Sequence, residues 1–391
     1  MKQVYTKLCT YSADLFGINS ALYELGGLIV MHDASGCKST YNTHDEPRWY
    51  TMDSMIYVSG LVEQDAILGN DERLIQDIIN VAETEHPKFI ALSRSVLPTY
   101  LGTDVRGIAK VVEKRTGIPT FGFATNGMDS YVCGASEAYT TIARRFCRRS
   151  DAGETNHDRK GINLLGITPL DFSVTGNAEA LRSAAEEAGF PLRSCWSMHC
   201  TLEELAGASE AEATLVVSTT GLAAAEYLER TFGIPYVIGF PCGAEAFYTL
   251  QEQLKEAVRT GRSGSLFSEP APSPKQGDRS TLIIGEAVHA ASLRFQLEKE
   301  YGYTSVRVLC PLEKDAGVLR KTDLHSSGEE EITEAMNASD IVIADPIYRR
   351  AARKDLLFLE DPHEAYSGRT YHSRQRRYVG KKAEPFEELR P

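Results

Sequence analysis

At 391 residues the chain exceeds what one hydrophobic core ordinarily serves, so two or three units of roughly 100–150 residues are expected. Its 54 acidic and 42 basic residues leave a net charge of −12, which argues against a general nucleic-acid binder. No stretch approaches the roughly 20 apolar residues of a membrane span, and Met1-Lys2-Gln3-Val4-Tyr5 opens no signal peptide. The eight cysteines (Cys9, Cys37, Cys133, Cys147, Cys195, Cys200, Cys242 and Cys310) lack the spacing of a small disulfide framework, so a reducing cytoplasm is the expected setting.

Residues 1–25 carry Cys9 and then Leu15, Ile18, Leu22 and Leu25, whose spacing gives a helix one apolar face. The apolar run Gly26 to Met31 reads as a buried strand leading into His32-Asp33-Ala34-Ser35-Gly36-Cys37. Cys37 therefore falls in a tight turn at a strand's carboxyl end, where open α/β sheets place their chemistry. On composition alone it reads by default as a small apolar residue. Gly36-Cys37-Lys38-Ser39-Thr40 imitates the end of a phosphate loop, but Cys37 stands where that loop needs Gly directly before Lys, so nucleotide binding is rejected at this turn. A polar, aromatic stretch from Thr43 to Trp49 follows, then an acidic one from Glu63 to Gly69; a sheet needs neither in order to fold. Next come a helix from Leu74 to Val81, a strand from Phe89 to Leu92, a helix over about 103–116 closed by Gly117-Ile118-Pro119, and a strand from Thr120 to Phe123.

A polar stretch from Arg148 to Lys160 reads as a linker, after which strand and helix alternate again through Ile162 to Gly166, Ala213 to Ser218, a helix from about Ala223 to Phe232, and Gly233 to Ile238. The Ser-, Pro- and Gly-rich run from Arg262 to Ser280 reads as a second linker. A third alternation begins at Thr281 to Glu286, with strands near Ser305 to Leu309 and Asp340 to Ala344. Such alternation predicts an α/β chain with mainly parallel sheets, divided at 1–155, 156–270 and 271–391. None of the opening strands leads into Gly-x-Gly-x-x-Gly, so the usual dinucleotide fingerprint is missing. The last part carries a basic run, Arg349 to Lys382, which suits either a solvated or subunit-facing surface or an anion.

In order along the chain, Met31 to Cys37, Asp65 to Leu74, Ile90 to Ser93, Leu101 to Asp104, Gly117-Ile118-Pro119, Trp196-Ser197, Leu202 to Leu205 and Gly233-Ile234-Pro235 resemble the nitrogenase component 1 superfamily. The superfamily embraces nitrogenase, its cofactor-assembly scaffold, the light-independent protochlorophyllide and chlorophyllide reductases and a nickel-tetrapyrrole reductive cyclase. The resemblance implies three Rossmann-like domains and an iron–sulfur cluster at a subunit interface, held by thiolates from turns of the first domain. Cys37 matches one of three ligand positions; the others fall at Ser12 or Ala13, with Cys9 nearby, and at Val96. The full eight-iron site of nitrogenase is therefore absent. Ser218 stands where the second-domain cysteine of the nitrogenase cofactor would be, and no third-domain histidine is matched, so dinitrogen reduction is not expected.

What the resemblance leaves is one 4Fe–4S cubane shared across an interface, with Cys37 as a cofactor ligand and the rest drawn from a partner subunit, or with Cys37 paired with Cys9 in a symmetric dimer. A homologous component 1-like partner is favoured over a symmetric homodimer, and ATP is expected only on a separate reductase resembling the nitrogenase iron protein. The candidate catalytic residues are His44 for proton delivery and Arg48 for carboxylate binding, both close after Cys37, with subunit packing as the other reading. Cys133 joins them because a thiol at a helix N-terminus has a lowered pKa, with a buried small residue as the other and preferred reading. His199 joins them within Cys195-Trp196-Ser197-Met198-His199-Cys200, where pocket lining is preferred to a metal site. The expected function is an oxidoreductase, the catalytic subunit of a two-component ATP-dependent reductase acting on an unassigned small molecule. A cofactor-assembly scaffold and a metal-free interaction subunit are the alternatives.

Overall fold

The computed structural model describes residues 6–8, 11–34, 36, 46–148, 160–268, 270, 272–273 and 277–390. Three parallel sheets organise the chain. The first contains β1 (Leu28–His32), β2 (Ile56–Val58), β3 (Ile90–Arg94) and β4 (Thr120–Phe123) in the order β2-β1-β3-β4. The second contains β5 (Ile162–Ile167), β6 (Leu192–Ser197), β7 (Ala213–Val216), β8 (Tyr236–Ile238) and β9 (Gly264–Ser265) in the order β6-β5-β7-β8-β9. The third contains β10 (Thr281–Ile284), β11 (Val306–Cys310), β12 (Leu324–His325), β13 (Ile341–Ala344) and β14 (Leu357–Glu360) in the order β12-β11-β10-β13-β14. This is the expected α/β architecture of three doubly wound units.

The central strands β1, β5, β7, β10 and β13 are legible because both of their faces are buried, as the interior of a parallel sheet requires. Along β1, Ile29 and Met31 point into a core that runs through all three units, while Leu28 and Val30 point into a smaller core with Leu74, Ile78, Ile108 and Val112. Among the described residues six helices flank the first sheet: α1 (Asp14–Leu22), α2 (Glu63–Leu68), α3 (Asp71–Glu85), α4 (Val96–Leu101), α5 (Val105–Thr116) and α6 (Tyr131–Phe146). Helix α5 starts where the Asp104 side chain accepts from the Gly107 amide at 3.0 Å and ends at left-handed Gly117. Helices α1 and α6 cross with their backbones in contact. A Cβ on Gly134 would lie 1.8 Å from the Asp14 carbonyl oxygen, and one on Gly17 would lie 2.0 Å from that of Tyr131. Helix α6 also packs on the helix Thr219–Phe232 and so joins the first unit to the second.

Both ends of the chain are tied to distant units. Glu329 accepts from the amides of Thr6, Lys7 and Leu8 at 2.8, 2.9 and 3.0 Å, which fastens the start of the chain to the third unit. Gly380 pairs with Cys242, and Tyr378 donates its hydroxyl to the Asp171 carbonyl at 2.7 Å, so the C-terminal segment crosses back onto the second unit. The run from Arg262 to Ser280, read as a linker, supplies β9 as an edge strand of the second sheet. Among the described residues no helix is long and apolar enough to cross a membrane.

Candidate functional site

In a doubly wound sheet, strand order reverses at one point and the carboxyl ends of the two strands there frame a crevice. In the first unit that point lies between β1 and β3, at His32 and Ser95. His32 is buried with Nδ1 2.8 Å from Ser59 Oγ, and burial lowers its pKa, which favours neutral imidazole. Its side chain lines a pocket of about 260 Å³ with Asp65, Asp71, Arg73, Asp77 and Asp104. Cys37, Cys9 and His44 lie outside the described residues.

Arg48 is buried, and its guanidinium is engaged within the chain. Nε lies 2.7 Å from Glu46 Oε1, Nη1 3.0 Å from Glu24 Oε1, and Nη2 donates to the Ser20 carbonyl at 2.8 Å. The group also sits 4.4 Å over the Tyr23 ring. This arrangement ties the segment after residue 45 to α1 and to the turn that follows it.

Cys133 stands in the first turn of α6, as expected, but its acidity moves the other way. Burial, reinforced by Glu313, pushes the thiol up to about 11, so desolvation overrides the helix terminus. Burial likewise pushes Cys195 up to about 11 and holds Cys200 well above its ordinary value. His199, at φ 56, projects outward to Glu179 at 3.0 Å while its amide donates to Glu24 at 2.6 Å. The two thiols thus turn into the core and the imidazole turns away from them. Among the described residues no group of three or more His, Cys, Asp or Glu side chains converges as a metal ion requires.

Among the described residues a cluster of buried ionisable groups lies where the three units meet, because the switch points of the second and third sheets face each other there. Asp171, on the short helix α7 (Pro169–Phe172) after β5, is its centre. Asp171 Oδ1 accepts from Tyr131 of α6 at 2.5 Å, and Oδ2 accepts from Ser218 at 2.8 Å and Thr168 at 3.0 Å. His363 Nε2 lies 3.6 Å from Oδ1, an ionic contact too long for a hydrogen bond. From the end of β10, Glu286 accepts from the Thr219 amide at 3.0 Å; from the end of β13, Asp345 accepts from the His363 amide at 2.8 Å. His289 pairs with Asp361 at 2.8 Å, and Glu364 bonds His372 and Ser173. Burial raises the pKa of Glu286 and Glu364 and raises Asp345 to about 6. Burial works to lower His363, but Asp171, Asp345 and Asp361 outweigh it and the net shift is upward.

The sequence pattern matched no third-domain histidine to this centre, whereas the fold brings in His289 and His363. Their signal was a polar or charged residue shortly after an apolar strand, as at Glu286, Asp345 and His363. Ser218, where a thiolate would be needed for a nitrogenase cofactor, donates to Asp171 instead. The basic run is also largely spent within the chain. Arg353 donates to the carbonyls of Asn337 and Ser339, Arg376 to that of Glu360, and Arg377 to that of Thr175.

Comparison with known proteins agrees with this architecture. Residues 26–290 match the family model for nitrogenase component 1 type oxidoreductase. The chain is 26% identical over 207 residues to the nitrogenase iron-molybdenum cofactor biosynthesis protein NifE of Sinorhizobium fredii, covering 52% of this chain and 40% of that protein. It is 24% identical over 185 residues to the nitrogenase molybdenum-iron protein alpha chain of Clostridium pasteurianum, covering 46% and 33% respectively. Against a subunit of the light-independent protochlorophyllide reductase of Pinus thunbergii it is 22% identical over 271 residues, covering 62% and 52%. The matches thus span between a third and about half of the length of these relatives. A solved structure described as nitrogenase Cp1 at pH 6.5 superimposes with a TM-score of 0.71 at 15% identity, over 100% of this chain and 92% of that one, and so shares its fold. With three doubly wound units in place and more than half of its length matched, the chain belongs to the nitrogenase component 1 type oxidoreductase family.

Proposed function

We propose that the chain is the catalytic subunit of a two-component reductase, in which a separate ATP-hydrolysing protein delivers electrons through an interface iron–sulfur cluster to a small substrate. The observation that carries this reading is the first switch point: β1 ends at His32, five residues before Cys37. The described thiols are scattered through the fold, and among the described residues no group of three or more His, Cys, Asp or Glu side chains converges as a metal requires. A cluster would draw on Cys37 with three thiolates of a second, homologous subunit, or on Cys37 and Cys9 of two identical chains, and when bound it supplies one-electron transfer. Within the chain, Arg48 fixes the segment beside that turn to α1, and the buried acid, phenol and imidazole groups around Asp171 hold the three units together.

The test is Cys37→Ala in anaerobically purified protein. Loss of iron and acid-labile sulfide with an unchanged circular dichroism spectrum is expected; a variant with the full iron content of the wild type refutes the assignment. Cys9→Ser separates the two assemblies. Loss of the cluster from the chain expressed alone supports a homodimer, and a cluster that forms only on co-expression with a homologous subunit supports the heterodimer. A cofactor-assembly role is the second reading, favoured by the likeness to a NifE protein. Repeated substrate turnover with an ATP-hydrolysing reductase excludes it.

A further inference from the structure

Glu364 is buried between the second and third units, and its Oε1 accepts from the Ser173 hydroxyl at 3.0 Å and pairs with Nδ1 of His372. Gln375 adds a further hydrogen bond to the carboxyl. Ser173 follows α7 with φ 53 and ψ −167, a backbone conformation that favours glycine, and it is buried there. The fold thus keeps a strained serine whose hydroxyl is given to one carboxylate. His372 lies in the turn Gly368–Arg374, and its side chain is 38% exposed against 2% for that of Glu364. One hydrogen bond therefore joins an imidazole at the solvent to an acid in the interior.

The same acid lines a pocket of about 290 Å³ with Tyr11, Ser12, Tyr366, Arg369 and Thr370. Ser12 stands at the family's ligand position before the first helix, and its amide donates to the Ala365 carbonyl at 2.8 Å. The pocket consequently abuts the proposed cluster site, whichever subunit supplies the other thiolates.

We propose that Glu364 is the proton donor of the reduction and that His372 recharges it from solvent. The inference rests on the two-component reading above and names two residues that serve it. Each electron passed to the substrate is matched by one proton, so that no uncompensated charge is left in a buried pocket. The O–H bond of the Glu364 carboxyl breaks as the substrate gains its hydrogen. The carboxylate then takes a proton from the imidazolium of His372, and the imidazole takes one from water. Burial raises the pKa of Glu364, which brings its proton affinity closer to that of an ordinary imidazole.

The experiment reduces the cluster-loaded protein photochemically by one electron, with no substrate present, and follows proton uptake from the medium with an indicator dye. In the wild type the Glu364–His372 pair should take up one proton per electron. Glu364→Gln should take up none while its cluster is reduced to the same extent. His372→Ala should reach the wild-type extent about a hundredfold more slowly, and added imidazole should restore the rate, which a packing role would not allow. Infrared spectra of the cluster-free chain supply a second readout. The carboxylic acid band that Glu364→Gln lacks should appear at higher pH in His372→Ala than in the wild type, because the cationic partner is gone. Equal uptake by the wild type and Glu364→Gln, a wild type reduced without uptake, or equal band midpoints in the wild type and His372→Ala overturns the proposal and leaves the two-component reading standing. If Glu364→Gln does not fold, the rate and its rescue in His372→Ala decide alone. A protein that holds no cluster overturns both.

Discussion

Removing the Asp171 carboxylate should loosen the contact between all three units at once. Asp171→Ala takes away the acceptor of Tyr131 from the first unit and of Ser218 and Thr168 from the second, along with the counter-charge of His363 from the third. A buried donor left without a partner costs about 1–3 kcal/mol, so three of them cost roughly 3–6 kcal/mol once local rearrangement between Ser218 and Thr220 is allowed for. In a chain of this size that corresponds to a melting midpoint lower by about 5 °C or more. Asp171→Asn should lose less. Its oxygen still accepts from Tyr131, and the hydroxyls of Ser218 and Thr168 can turn to accept from its amide. Calorimetry gives the midpoints, and hydrogen exchange should show faster opening at the start of α6 and around Tyr378 in the alanine variant. An Asp171→Ala protein that melts with the wild type and exchanges no faster at those positions would refute the reasoning.

Gly134→Val should abolish soluble folded protein, since its Cβ would stand 1.8 Å from a backbone oxygen that cannot withdraw; a variant with native circular dichroism and melting contradicts the helix crossing. Asp345 is raised to about 6 by burial, so the native state holds its proton more tightly than the unfolded chain, and this residue's contribution to stability falls as pH rises from about 4 to 6. In Asp345→Asn that part of the pH dependence should vanish, as read from melting midpoints across the same range. Hydrogen bonds from Thr6, Leu8 and Lys7 hold Glu329 down at about 2, so its contribution is present above the ordinary carboxylate range and is lost as pH falls through about 2. Glu329→Gln should release the first residues to limited proteolysis at neutral pH, and equal cleavage in variant and wild type would count against the tether.

The central strands were legible because a strand inside a parallel sheet buries both faces and therefore shows as an unbroken apolar run. The run from Thr120 to Phe123 is reproduced residue for residue. Helix boundaries shifted where a cap rather than an apolar residue sets the end, as at Asn70, whose side chain accepts from Arg73 and begins α3 before Leu74. Helix α2 left no periodic signal because it buries nothing, and its sequence read only as an acidic stretch. The acidity of Cys133 was misjudged because proximity to a helix terminus is visible in the sequence, whereas desolvation depends on packing between elements. The same limit hid the Asp171 centre, whose members come from all three units and meet only once the switch points face each other.

The tether between Glu329 and Thr6, Lys7 and Leu8 joins residues 321 to 323 positions apart. On a ribosome adding about 5–20 residues per second, the first residues therefore wait roughly 15–60 s before the carboxylate that holds them has been made. Leu8 is buried in the finished protein and is exposed throughout that interval. The residues next to Cys9 are thus fixed late although they are made more than three hundred positions before their partner. If Cys9 ligates a cluster, that cluster is inserted only after Glu329 has been made, by a delivery step acting on units already folded.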